Sequence, residues 1–185
     1  MKRKTFFKKI SSEEITPLEI YMRFLDDKNS YFFESVEGGE KWAKYSIIGL
    51  PTDKKIKLSD SPLDEIDDFM KSQKVERIEG LPDFTGGLVG YFSYDTIRHI
   101  EKKLSNSKKP QLNYAEISLM ISDELIVYDN YEKNLFIIVN DSEKNEKLAN
   151  LRIDEILQQI NTPLEDQDNS KKNKLEYEYE YTKEN

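Results

Sequence analysis

Residues 31–51, YFFESVEGGEKWAKYSIIGLP, decide the reading of the fold. The stretch opens on the apolar run Tyr31-Phe32-Phe33 and turns polar at Glu34-Ser35. It passes through Gly38-Gly39, then resumes at Lys44-Tyr45-Ser46 before Ile47, Ile48 and Leu50. Two β-rich runs joined by a glycine-containing loop predict a hairpin-like pair. Glu34 and Ser35 end one run, and Tyr45 and Ser46 begin the next. Buried polar groups need hydrogen-bond partners. These residues therefore satisfy one another or hold a small polar ligand.

Before the hairpin, residues 1–10 predict a strand or an extended arm. Thr16, Pro17 and Glu19 form a helix start, with Thr16 as cap, Pro17 at the first helical position and Glu19 completing a capping box. Leu18, Tyr21, Phe24 and Leu25 share one face of that helix, which should end near Asp27. After the hairpin, the alternation over residues 54–58 predicts a half-exposed strand. Ser61-Pro62, followed by Asp64 and Glu65, opens a second helix with an acidic first turn. Its expected buried face is Leu63, Ile66, Phe69 and Met70, and it should run out near Gln73.

Pro82 breaks a loop over residues 80–84, and Gly86-Gly87 opens a strand over residues 88–92. Gly90 lies inside that strand, where close approach by a neighbouring strand outweighs ligand contact as the reason for glycine. Asp95 is expected to cap a short helix carrying Ile97 and Ile100. Residues 115–121 alternate as a strand, and residues 125–128 and 135–139 form a hairpin around residues 129–134. A long helix from Asp141-Ser142 carries Leu148, Leu151, Ile156, Leu157 and Ile160 as its apolar stripe, and Pro163 stops it. The fold class is α+β: a mostly antiparallel sheet with two short helices and one long C-terminal helix packed on it.

The chain has 185 residues, enough for one domain of residues 1–161 with its own core. Residues 162–185 are dominated by Gln, Asn, Lys, Glu and Asp, which predicts a charged linker or tail. There is no cysteine, so no disulfide framework or thiolate metal site is available. A net charge of −8 argues against nucleic acid as partner. No apolar run is long enough to cross a bilayer, and the basic start lacks the apolar stretch of a secretory signal. The expectation is a cytoplasmic protein with no membrane partner.

No catalytic or metal-binding residue is expected in the chain. His99 is the one histidine, beside Arg98 and Glu101 on a short helix, and acid–base work needs converging partners. Asp67-Asp68, Glu143 and Asp154-Glu155 sit on predicted helix exteriors and read as solvated faces. The calcium-loop and phosphate-loop spacings are absent, and Gly86-Gly87-x-x-Gly90 precedes its strand rather than following one.

Two blocks carry a resemblance to a known family. Phe32-Phe33-Glu34-Ser35-Val36 with Gly38-Gly39 and Lys44-Tyr45-Ser46 is similar to the FLLES-V-x-G-G…R-Y-S-x-I-G pattern of anthranilate synthase component I. Gly86-Gly87-Leu88-Val89-Gly90-Tyr91-Phe92-Ser93-Tyr94-Asp95, then Ile97-Arg98-His99-Ile100-Glu101, resembles the same family's GG-x-VGY-x-SYD-x-VR-x-IE block. The resemblance implies the N-terminal regulatory and scaffold domain of an enzyme of L-tryptophan biosynthesis. That enzyme converts chorismate and glutamine-derived ammonia to anthranilate and pyruvate. Its implied partners are a chorismate-binding C-terminal half, a glutamine amidotransferase subunit (component II) and L-tryptophan as inhibitor. Mg²⁺ is expected for the full-length enzyme and no cofactor for this chain. Ser35 carries over from the serine that contacts feedback tryptophan, with Glu34 as its neighbour and Lys44 at the family's usual arginine. Tyr128-Asp129-Asn130 stands where the family has Phe-Asp-His, so that histidine's role is not assigned. Residues 182–185 resemble the start of the family's first helix after the linker, as if the chorismate-binding part were to follow. Aminodeoxychorismate synthase component I, which has the same architecture, and a stand-alone amino-acid-binding module are the alternatives.

Overall fold

In the computed structural model, which describes residues 2–12, 14–34, 44–58, 61–104 and 115–163, the fold is built around two strands buried on both faces. They are β6, Glu124–Asp129, and β7, Asn134–Ser142, paired antiparallel. Their apolar runs are nearly continuous, as expected for strands covered on both sides. Around them lies a sheet of five strands in the order β1-β7-β6-β3-β2. The remaining strands of this sheet are β1 (Arg3–Ser11), β2 (Asn29–Phe33) and β3 (Tyr45–Thr52). All its pairings are antiparallel. The predicted hairpin is β2 against β3, with Phe33 opposite Ile47, and the register shifts between Asn29 and Tyr31.

One face of the sheet is covered by α1 (Pro17–Arg23) and α4 (Glu146–Asn161). Here Ile126, Tyr128, Leu135, Ile137 and Val139 meet Ile20, Phe24, Ile153, Ile156 and Ile160. The opposite face carries a smaller cluster, Leu125, Val127, Phe136 and Ile138, under Leu81 and Phe84. A second, two-stranded sheet pairs β4 (Gly87–Phe92) with β5 (Ile117–Ser122). The α+β class, the antiparallel sheet and the long C-terminal helix packed on it all match the sequence reading.

The buried helix faces are rotated from those expected. In α1 both halves of the capping box are present; Phe24, just past its end, is buried as expected, but Ile20 is the buried residue within the helix, while Leu18 and Leu25 face out. Tyr21 lies between, stacked on Phe32 with centroids 5.4 Å apart. In α4 the buried residues are Ala149, Ile153, Ile156 and Ile160. Leu148 and Leu151 are exposed. Residues 149, 153, 156 and 160 form one stripe, and at about 100° per residue Leu151 points almost the opposite way. Ile156 and Ile160 were expected in the core, Ala149 and Ile153 were not. The α4 sequence has apolar residues on more than one side, so contact with the sheet selects the buried one.

Three further expectations change. Residues 54–56 form a single bridge to β5 rather than a named strand: Ile56 N–H donates to Leu119 O at 3.2 Å, and Lys54 O accepts from Ile121 N–H at 2.9 Å. In α2 (Pro62–Ser72), Pro62 is buried, Leu63, Ile66 and Phe69 are half-buried and Met70 is exposed. Asp95 does not cap the short helix α3 (Ile97–Ile100). It lies in the preceding turn of 3₁₀ helix and takes Arg98 Nη2 at 2.7 Å.

Two glycines mark close approaches. A Cβ at Gly90 would lie 1.9 Å from Ser118 O on β5, so neighbouring backbone accounts for glycine there. A Cβ at Gly49 would lie 1.8 Å from the Tyr31 ring. That ring crosses the glycine from β2, and its hydroxyl bonds Ser122 Oγ at 2.7 Å, tying the two sheets together.

Two tests follow from the packing. Ile156→Ala is expected to cost about 2–5 kcal/mol in urea unfolding, while Leu151→Ala stays within about 0.5 kcal/mol. Burial pushes the Tyr31 phenol up to about 12. The folded chain therefore keeps a proton that the unfolded chain releases near pH 10. That stabilisation is complete below the unfolded value and fades as pH rises toward 12. Over this interval the native chain should lose about 2–3 kcal/mol relative to Tyr31→Phe, read from unfolding curves at successive pH.

Candidate functional site

The end of the β2–β3 hairpin meets the β6–β7 turn, and polar side chains collect there. Glu34 follows β2 and is exposed; among the described residues it has no ion-pair partner. Lys44 precedes β3. Its ammonium lies 3.5 Å from Asp129 Oδ2 and 5.0 Å from the centroid of the Tyr45 ring. The Tyr45 side chain first, and the Asp129 carboxylate second, hold the Lys44 ammonium above its ordinary value. Ser35 lies outside the described residues.

Asp129 is 2% exposed, and its carboxylate does two jobs. Oδ1 accepts from the backbone N–H of Tyr131 and of Glu132, both at 3.0 Å, which shapes the turn between β6 and β7. Oδ2 faces Lys44. The next residue, Asn130, clamps the start of β3. Its backbone N–H donates to Lys44 O at 2.8 Å, and its side-chain amide donates to Ser46 Oγ at 3.2 Å. Ser46 is fully buried, so that bond satisfies a hydroxyl with no access to water. Of the polar residues at the strand ends, Ser46 is thus satisfied within the protein. Glu34 and Lys44 remain at the edge of the site, one carboxylate and one ammonium.

Asp129 and Asn130 were missed as site residues. Their block drew attention for its missing histidine, yet the asparagine holds β3 and the aspartate holds Lys44. The signal was an acid and an amide directly after the apolar run 125–128, a favoured pattern for a turn that bonds its own backbone. His99 is elsewhere, with Nε2 2.9 Å from Glu116 Oε2 beside α3. Among the described residues, no three histidine, aspartate or glutamate side chains converge to hold a metal ion.

Comparison with known proteins bears on this arrangement. The family described as chorismate binding enzyme matches residues 28–185. Anthranilate synthase component 1 of Pseudomonas aeruginosa is 38% identical over 171 residues, covering 80% of this chain and 35% of that protein. The Pseudomonas putida protein of the same name is 41% identical over 143 residues, covering 67% of this chain and 29% of that protein. The chain spans about a third of the length of the curated relatives it matches. The crystal structure of anthranilate synthase component I from Streptococcus pneumoniae superposes with a TM-score of 0.54 at 19% identity. It covers 84% of this chain and 37% of that one, and shows that the fold is shared.

The roles of the Asp129 oxygens separate in mutants. Asp129→Asn keeps an oxygen for the turn and should cost less than Asp129→Ala, which strands two N–H groups and should cost about 2 kcal/mol or more. Lys44→Met should cost the least of the three, because the ammonium is exposed and screened and Asp129 keeps its two backbone N–H bonds. Denaturant midpoints of the three variants check this order.

Proposed function

The chain belongs to the chorismate binding enzyme family, and on that footing we propose that it is the N-terminal regulatory and scaffold part of an anthranilate synthase component I. The observation that carries the proposal is the similarity to component 1 relatives over most of the chain. Residues 1–161 form the domain, and residues 162–185 lead toward a chorismate-binding half. The whole enzyme converts chorismate and glutamine-derived ammonia, supplied by component II, to anthranilate and pyruvate in the cytoplasm.

The scaffold role is supported by exposed apolar side chains at the end of β4 and on the helix after it. Tyr91 is 48% exposed, Phe92 51%, Tyr94 92% and Ile100 66%. Large apolar side chains left this exposed are what a part that packs against more protein presents. Among the described residues, no cluster of acidic or histidine side chains fits Mg²⁺. No chemical step is assigned to them.

The regulatory role rests on Ser35, Glu34 and Lys44 as part of an L-tryptophan site. A zwitterionic amino acid needs an acceptor for its ammonium, a cation for its carboxylate and an apolar wall for its ring. Glu34 offers the first and Lys44 the second, with the Tyr45 ring beneath Lys44. Asp129 holds Lys44 in place but competes for its charge, so this part alone binds tryptophan weakly or not at all.

The test is a chimera in which this chain replaces the matching region of the Pseudomonas aeruginosa relative. It should form anthranilate, followed by fluorescence, and tryptophan should inhibit it. Ser35→Ala, Glu34→Gln or Lys44→Ala should each raise the inhibitory tryptophan concentration about tenfold or more while kcat changes less than about twofold. A chimera that tryptophan does not inhibit removes the regulatory reading. One that folds, as judged by circular dichroism, yet makes no anthranilate removes the scaffold reading. Micromolar binding of tryptophan to the 185-residue chain in calorimetry contradicts the weak-binding statement.

A further inference from the structure

β1 lies at one edge of the five-stranded sheet. Ser12 N–H donates to Lys133 O at 2.8 Å and Glu143 N–H to Lys2 O at 3.1 Å. Bonded positions alternate along an antiparallel pair, so the even-numbered residues of β1 bond β7. The backbone N–H and C=O groups of Phe7, Lys9 and Ser11 therefore point away from the sheet, and among the described residues they have no partner. Phe7, Lys8, Lys9 and Ser11 are all exposed, which leaves this half of the edge open. The other half is sheltered: Thr5 is buried and shares a hollow with Val75 and Leu81.

An open strand edge is a template for a further strand. Among the described residues such edges belong to β1, β2 and β4. Their charges differ. Residues 1–11 carry Lys2, Arg3, Lys4, Lys8 and Lys9 and no acid. β2 is flanked by Asp26, Asp27 and Glu34, and β4 by Asp95 and Glu101. The β1 cations oppose pairing of two copies of this edge, because like charges directly opposite are destabilising. They favour an acidic strand, and the chain contains one. Residues 175–181 read LEYEYEY, with Glu176, Glu178 and Glu180 on one face of an extended strand and Tyr177, Tyr179 and Tyr181 on the other. This segment lies outside the described residues.

We propose that residues 175–181 add to the open edge of β1 as a further antiparallel strand, their glutamates on the side of Lys8 and their tyrosines on the side of Phe7. The direction follows from α4, which runs alongside β1: Lys4 lies 3.6 Å from Glu146 and Lys8 2.9 Å from Asp154. The helix therefore ends beyond Lys8, toward Ser11, with Asn161 roughly 10 Å past Asp154 at the rise of a helix. A chain leaving there and returning along β1 is antiparallel to it. Residues 162–174 span up to about 43 Å, ample for the turn. Lys8 already meets Asp154, but both are exposed, and an ammonium has donors for a second carboxylate. Phe7, 41% exposed, gains an aromatic neighbour across the pair. Neither the tryptophan reading nor the anthranilate reading is needed for this contact.

The test is amide hydrogen exchange of the full 185-residue chain, read residue by residue by NMR. The amides of Phe7 and Lys9 should exchange about tenfold or more slower than those of an unstructured chain. Tyr179→Pro removes an N–H from the added strand and fixes its φ. It should return Phe7 and Lys9 to free exchange, while Lys8 and Ile10, bonded to β7, stay slow and report that the fold is intact. Lys8→Glu or Glu178→Lys alone should speed exchange at Phe7 about threefold, and the two together should restore it. Free exchange of Phe7 and Lys9 in the parent chain overturns the proposal. So does protection that survives Tyr179→Pro, or protection that grows with protein concentration, which marks a second copy as the occupant.

Discussion

The structure depends on the burial of both faces of the β6–β7 pair. Leu125, Ile126, Val127, Ile137 and Ile138 are each inaccessible to solvent, although neighbours along a strand point to opposite sides. Such a pair is stable only with cover on both faces. On one side α4 and α1 supply it, and on the other the smaller cluster under Leu81 and Phe84 does so. β1 and β3 complete the backbone hydrogen bonding on either flank. The outer strands can then be more polar, which is why β1 tolerates Lys4, Lys8 and Lys9 on its exposed positions.

The same burial explains where the polar chemistry lies. A strand with no wet face can place charge only at its ends. β6 ends on Asp129, and Asp123 lies immediately before it. Both carboxylates are nearly buried, and both are met by cations from elements distant in sequence: Lys44 for Asp129, Arg3 and Lys54 for Asp123. One end forms the candidate amino-acid site at the hairpin. The other lines a cleft between β1, β7 and α2. At the Asp123 end, removing the largely buried Arg3 would leave the carboxylate with the exposed Lys54 alone and be strongly destabilising, whereas at the Asp129 end two backbone N–H groups still hold the carboxylate when Lys44 is removed.

The second sheet has a different character. β4 and β5 are joined to the main sheet through Asp123, through the Tyr31–Ser122 bond and through the contact of residues 54–56 with β5. The end of β4 exposes Tyr91 on one face and Phe92 on the other, and the turn beyond carries Tyr94. Apolar area of this extent costs free energy while it faces water.

Much of this was legible in the sequence. The capping box at Thr16 and Glu19, the β2–β3 and β6–β7 hairpins, the strand after Gly86-Gly87 and the long final helix follow from local rules: side-chain caps, period-two patterns and turn residues acting within a few positions. The family was legible in two motif blocks. The buried stripe of α4, with Ala149 and Ile153 in place of Leu148 and Leu151, was not. Nor were Tyr31 over Gly49, Asp129 beneath Lys44, or Arg3 against Asp123. Each joins residues that are neighbours only after the sheet has assembled in the order β1-β7-β6-β3-β2. Local sequence determined which segments become strands and helices, because those choices rest on torsions and short-range hydrogen bonds. Tertiary structure decided which faces are buried and which charges meet, because those outcomes rest on contacts between segments far apart along the chain.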